Sequence, residues 1–259
     1  MVNQVSTVEE VESVFGMLLA FTLFLAPIPT IRTIHKEKDT KEFSSDPYVS
    51  GILNCGVWVI YALPSVTPNR TTPLVTNFIG FLMEMAYCLA FYKYCNARNT
   101  RRFKRSFGPS VLFLLFMLLF PFVFCAKPSD ASDGIGVVAA ILNIGMYASP
   151  LTIMKQVWDS KSVQYMPLHL SVATFFCSFA WMCYGITVND KPIMICNITG
   201  TLLGAAQIAL YLTVFFHPER AEEDGGNKYT SILEDDVEVA SDPSSSSNEV
   251  IMSDDVAVL

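Results

Sequence analysis

Apolar residues fill seven long blocks of this chain, and polar residues gather in the gaps between them. The blocks run over 13–34, 47–66, 73–95, 108–127, 133–156, 167–188 and 192–216. About 20 apolar residues cross a bilayer as helix, so the pattern predicts seven transmembrane helices. The second block is short and ends in the turn-rich LPSVTP.

The gaps predict an orientation. Arg32, Lys36, Lys38 and Lys41 follow the first block. Lys93, Arg98, Arg101, Arg102, Lys104 and Arg105 follow the third. With Lys155, Lys161, Arg220 and Lys228, fourteen basic residues fall on one side, against Arg70, Lys127 and Lys191 on the other. Basic loops stay in the cytoplasm, so the N-terminus is expected outside and the C-terminus in the cytosol. Asn69 in NRT would then face outward, but close against the membrane, where glycosylation is not expected.

The chain also contains its own copy. LVTNFIG (74–80) matches MICNITG (194–200), aligning Asn77 with Asn197 and Gly80 with Gly200. GVWVIYAL matches FAWMCYGI, aligning Trp58 with Trp181 and Tyr61 with Tyr184. LAPIPTIRTI matches ASPLTIMKQV, and DPYVSGIL matches MPLHLSVA, which pairs Pro27 with Pro150 and Pro47 with Pro167. The expected domains are a first three-helix repeat at 13–95, a linker helix at 108–127 and a second repeat at 133–216. Three spans reverse sidedness, and one extra helix restores it. The fold class is therefore an all-α membrane protein of 3+1+3 design, with two parallel triplets facing each other about an axis along the membrane normal.

The repeated residues supply the chemistry. An amide in hydrocarbon is costly unless paired, and two at equivalent positions point to a shared substrate site at the midplane. An amide both donates and accepts, which suits an uncharged polyol. Trp58 and Trp181 precede Tyr61 and Tyr184 by three residues, so each pair shares a helix face, and a tryptophan face can stack on a sugar ring. The four prolines remove backbone donors and are expected to kink their helices as hinges of the inner mouth. Glu84 is an acid inside the third span, but its repeat counterpart is Gly204, so it is read as a structural, hydrogen-bonded or protonated carboxyl. His169 has no second ligand at metal-binding spacing.

Composition narrows the class. The chain has 259 residues, 52% of them hydrophobic, with a mean hydropathy of +0.41. Residues 219–259 carry twelve acidic residues against two basic ones, net −10, and the remainder holds fifteen basic against twelve acidic, net +3. The acidic tail is expected to be disordered and cytosolic. No basic stripe lies on a soluble domain, so nucleic acid is not an expected partner. Seven cysteines, none in a C-x-x-C pair, read as small buried hydrophobes. No metal cluster, catalytic triad spacing or phosphate loop is present, so neither an enzyme nor a cofactor is expected. A G-protein-coupled receptor fits worse, because D-R-Y and N-P-x-x-Y are both missing.

The stretches LFLAPIPT, KEFSSDPYVSGILNCGVW, TNFIG, MYASPLTIMKQV, KSVQYMPLHLS, WMCYG and CNITGTLLGAAQIALY resemble the SWEET (MtN3/saliva) family of sugar transporters, in its plant branch. The resemblance covers about residues 20–216. It implies a bidirectional uniporter working by alternating access, with Asn77, Asn197 and Trp181 in the sugar pocket and Trp58 at a variable lining position. It assigns Pro27, Pro47, Pro150 and Pro167 to the inner gate, and Tyr61, Tyr184 and Asp190 to the outer gate. Cys196 departs from the family, standing where relatives often carry proline. Two facing tryptophans predict a narrow pocket and a hexose such as glucose. The alternatives are a sucrose-preferring carrier of the same family and a proton-coupled PQ-loop carrier, although the P-Q dipeptide is absent. The expected partners are a small sugar, the lipid bilayer and further copies of the chain, with the plasma membrane preferred over the vacuolar membrane.

Overall fold

The computed structural model describes residues 7–216 and is helical throughout them. The expected acidic tail, 219–259, lies outside the described residues. The chain divides after Val214, and the unit ending there holds all of the described residues except Phe215 and Phe216.

Among the described residues, nine α-helices make up the seven expected spans: α1 (Thr7–Phe24), α2 (Ile28–Glu37), α3 (Asp46–Tyr61), α4 (Thr71–Lys93), α5 (Ala97–Val123), α6 (Ser132–Gly145), α7 (Ala148–Ser160), α8 (Leu168–Thr187) and α9 (Lys191–Phe216). Nine rather than seven arise because two spans are broken. Pro27 separates α1 from α2, and the break before Pro150 separates α6 from α7. The other two prolines do not kink anything. Pro47 lies in the first turn of α3 and Pro167 is the N-cap of α8, positions where a missing N–H costs nothing. The expectation of four kinked helices therefore holds at two of the prolines.

Two further boundaries differ from expectation. α5 starts at Ala97, eleven residues before the predicted block. Its start is set by a cap: Asn96 Oδ1 accepts from the Asn99 N–H at 2.9 Å. The Asn99 amide in turn donates to Thr40 Oγ1 at 2.8 Å and to the Lys41 carbonyl at 3.0 Å, tying the α2–α3 loop to α5. Second, α3 has only sixteen residues and gives way to turns at Ala62. At 1.5 Å per residue that is about 24 Å, short of the hydrocarbon core. The other six spans are long and apolar enough to cross a membrane alone.

α1 packs on α8 and α4, while α3 packs on α4, α5 and α6. The core thus runs across both repeats, joining Val57, Trp58 and Tyr61 to Ala139, Tyr184, Ile193 and Cys196. Large apolar side chains such as Leu89, Leu112, Leu202 and Phe179 point outward, as a hydrocarbon solvent requires.

The repeat seen in sequence recurs as geometry. α2 and α7 each end in a left-handed lysine, Lys38 at φ 58° and Lys161 at φ 50°. Gly80 leaves room for the Phe24 ring, and Gly200 leaves room for the Tyr147 hydroxyl and Ser178. Phe24 and Tyr147 are themselves equivalent, each three residues before its repeat's proline. Where the repeats differ, volume is exchanged across one interface. Glu84 of α4 fills the space beside Gly51 of α3, whereas Gly204 of α9 makes room for Phe175 of α8. Glu84 is buried against Gly51 and its Oε2 has no hydrogen-bond partner.

Candidate functional site

Asn77 sits mid-way along the N-terminal half of α4, and Asn197 holds the same place on α9. Each donates an N–H to the carbonyl four residues back: Asn77 to Pro73 at 2.9 Å and Asn197 to Ile193 at 2.7 Å. That bond orients each amide and leaves its oxygen for another partner; the Asn197 nitrogen also donates to Cys196 Sγ at 3.5 Å. α9 runs unbroken through Cys196, so the helix is regular there.

Both asparagines line one cavity of about 320 Å³, together with Trp58 and Trp181. The two tryptophans meet their tyrosines in the same way: Trp58–Tyr61 and Trp181–Tyr184 both have ring centroids 5.5 Å apart at 86°. Gly16 of α1 lets the Trp181 indole approach closely, which fixes the ring at the contact between the repeats.

Two further amides line the cavity, Asn54 on α3 and Asn143 on α6. Sequence reading by repetition missed both, because neither is duplicated. Counted from the repeat landmarks, Cys177 stands opposite Asn54 and Ala20 opposite Asn143. Asn54 Oδ1 is buried without a hydrogen-bond partner, an acceptor that a hydroxyl in the cavity would satisfy. Thr76, Thr174 and Ser178 add hydroxyls to a wall that is otherwise apolar. Amides and hydroxyls with aromatic faces, and no charged side chain in the lining, suit a neutral hydroxylated guest.

On the face with few basic residues, a latch of hydrogen bonds and one ion pair joins the two repeats. Asp190 Oδ2 accepts from the Tyr61 hydroxyl at 2.8 Å and from Arg70 Nε at 2.7 Å. Its other oxygen accepts from the Ile193 N–H at 3.1 Å, capping α9. Thr67 and Ser132 join α3's loop to α6 at 2.6 Å. Burial opposes the Arg70 charge, but the hydrogen bond and charge of Asp190 outweigh it and raise the Arg70 pKa. Tyr184 is buried beneath this network, against its tryptophan.

Arg70 was not singled out from sequence, yet a signal existed. Asn69–Arg70 and Asn189–Asp190 are repeat equivalents, and both asparagines are left-handed, at φ 62° and 51°. The latch is thus an ion pair between the same position of the two repeats.

On the basic face the arrangement is different. Pro150 lines the cavity, and Pro27, Pro47 and Pro167 do not.

Comparison with known proteins adds the following. The sequence profile described as "Sugar efflux transporter for intercellular exchange" matches residues 11–99 and 133–219. The bidirectional sugar transporter SWEET5 of Arabidopsis thaliana is 35% identical over 209 residues, covering 81% of this chain and 87% of that protein. The bidirectional sugar transporter SWEET7b of Oryza sativa subsp. indica is 37% identical, covering 76% of this chain and 74% of its own length. A solved eukaryotic SWEET transporter superimposes with a TM-score of 0.77 at 32% identity, over 81% of this chain and 98% of that one. Its architecture is shared: three spans, a linker and three spans.

Proposed function

We propose a transport cycle from one premise: the chain belongs to the SWEET (MtN3/saliva) family of sugar transporters. It is a multi-pass membrane carrier and not an enzyme, and it passes sugar in either direction down its gradient. In our reading, residues 13–95 and 133–216 are the two moving units and 108–127 is the linker.

Asn77 and Asn197 grip the sugar hydroxyls from opposite sides, and Trp58 and Trp181 stack on the ring. The observation that carries this is the cavity common to all four residues. The Arg70–Asp190–Tyr61 latch, over Tyr184, is the outer gate, shut in this conformation. Pro27, Pro47, Pro150 and Pro167 form the inner gate, with Pro150 lining the cavity. Alternating access is then an exchange: the outer latch breaks as the proline-marked ends of the helices draw together.

The basic face belongs in the cytosol, with the N-terminus outside. A role in exchange between cells, as the family's description words it, favours the plasma membrane over the vacuolar one. We also expect the carrier to assemble with copies of itself, which cross-linking of the membrane-embedded protein would detect.

The preferred sugar is a hexose. A cavity of about 320 Å³ lies at the small end for ligand sites, and two tryptophans and four amides crowd it. Side-by-side uptake of labelled glucose, fructose and sucrose by yeast lacking its own transporters tests this. Glucose uptake well above sucrose uptake is expected. Equal uptake of the two overturns the hexose reading while leaving the carrier itself intact.

A further inference from the structure

A second cavity of about 340 Å³ lies between α4 and α5 and shares no lining residue with the first. Met85, Leu89 and Tyr92 wall it from α4, and Phe103, Phe107 and Gly108 from α5. Tyr92 and Phe103 pack at 5.2 Å, and Phe103 stacks on Phe107 at 4.9 Å, so one wall is a continuous aromatic surface. Leu89 is 64% exposed and Tyr92 43%, so the slot opens to the exterior of the helix bundle.

Lys104 is the one charged residue of the lining. It stands between Arg101 and Arg105 in the first turns of α5, a helix with no acid in its first turn. Arg98 and Arg102 meet Glu42 and Asp46. Arg101, Lys104 and Arg105 are exposed and form no ion pair among the described residues. An apolar slot therefore meets a rim of three uncompensated positive charges where the helices leave the membrane.

One molecular class matches both features at once. We propose that the slot binds an anionic phospholipid from the leaflet on the basic face. One acyl chain lies between α4 and α5, and the headgroup phosphate and its extra negative charge meet Lys104, Arg101 and Arg105. A second copy of the chain is the poorer occupant, because a symmetric contact through this face would set the same cations against each other. Free phosphate would leave the apolar slot empty. A lipid seated here braces the linker helix against α4 of the first triplet.

Gly108 offers a clean test. A Cβ placed on it would meet no atom within 4 Å, so Gly108→Leu fills the slot without displacing protein. The full-length chain, purified in detergent, is given phosphatidylserine or phosphatidylcholine, and retained lipid is read by native mass spectrometry. The wild type should retain phosphatidylserine several-fold better than phosphatidylcholine. Lys104→Gln should lose about fivefold of that retention, Lys104→Arg should keep it, and Gly108→Leu should lose the bound lipid. Excess inorganic phosphate should not displace it. Equal retention of the two lipids by the wild type would overturn the proposal. So would unchanged retention in both Lys104→Gln and Gly108→Leu, loss in Lys104→Arg, displacement by phosphate, or dimers in place of bound lipid.

Discussion

Arg70 and Asp190 show how a duplicated chain builds a gate from one position used twice. The side chain of Asp190 is 1% exposed and that of Arg70 14%. Removing one partner of such a buried pair costs about 3–5 kcal/mol. Asp190 also accepts from Tyr61 and caps α9, whereas Arg70 otherwise reaches only backbone carbonyls. Asp190→Ala should therefore lower the melting temperature of the purified protein more than Arg70→Ala does. Arg70→Ala should leave a folded carrier whose outer face is opened, read as faster labelling of a cysteine introduced at Thr76 by an impermeant thiol reagent. Unchanged labelling would remove Arg70 from the gate. The site was partly legible in the sequence for the same reason that the gate is symmetric. Repetition marks Asn77, Asn197, Trp58 and Trp181, but hides Arg70, whose counterpart has the opposite charge, and Asn54 and Asn143, whose counterparts Cys177 and Ala20 are not amides.

At the level of helices, proline position decides proline meaning. Pro27 interrupts a run of helix, while Pro47 begins one. Composition alone does not separate these cases, because both prolines are flanked by apolar sequence and the start of α3 depends on where the preceding loop is tied down. Pro27→Ala and Pro150→Ala are expected to extend helix across the break and slow sugar flux at least tenfold. Pro47→Ala, which only restores an N–H at a helix start, should slow flux less, in the same uptake assay. Equal losses at Pro27 and Pro47 would contradict the distinction. The exchange of volume between α3–α4 and α8–α9 makes a second prediction. A Cβ on Gly51 would come within 2.6 Å of the Glu84 carboxyl carbon, so Gly51→Ala overpacks the interface at a cost of about 1–3 kcal/mol. Adding Glu84→Gly should recover part of that loss, measured by thermal melting. A double variant no better than the sum of the singles would show the two positions to be independent. Glu84 was visible in the sequence as an oddity. Its role was not, because the compensating Gly51 lies on another helix.

Across the whole molecule, the hydrophobic pattern made the spans readable and the internal duplication made the 3+1+3 order readable, since both are written in local sequence. The cavity was not readable, because its outline depends on how α1, α3, α6 and α8 pack. Its chemistry is the common ground between sequence and structure: two carboxamides from equivalent helices, facing one space with two tryptophans that each meet a tyrosine edge to face. The account stands or falls on whether those amides hold the transported sugar. Counterflow of labelled glucose into proteoliposomes, with the protein in the membrane quantified alongside, measures this most directly. Asn77→Ala and Asn197→Ala should each reduce counterflow to the level of empty liposomes while the reconstituted amount stays equal to wild type. Counterflow near the wild-type rate in both variants would contradict the claim that this cavity is the sugar path.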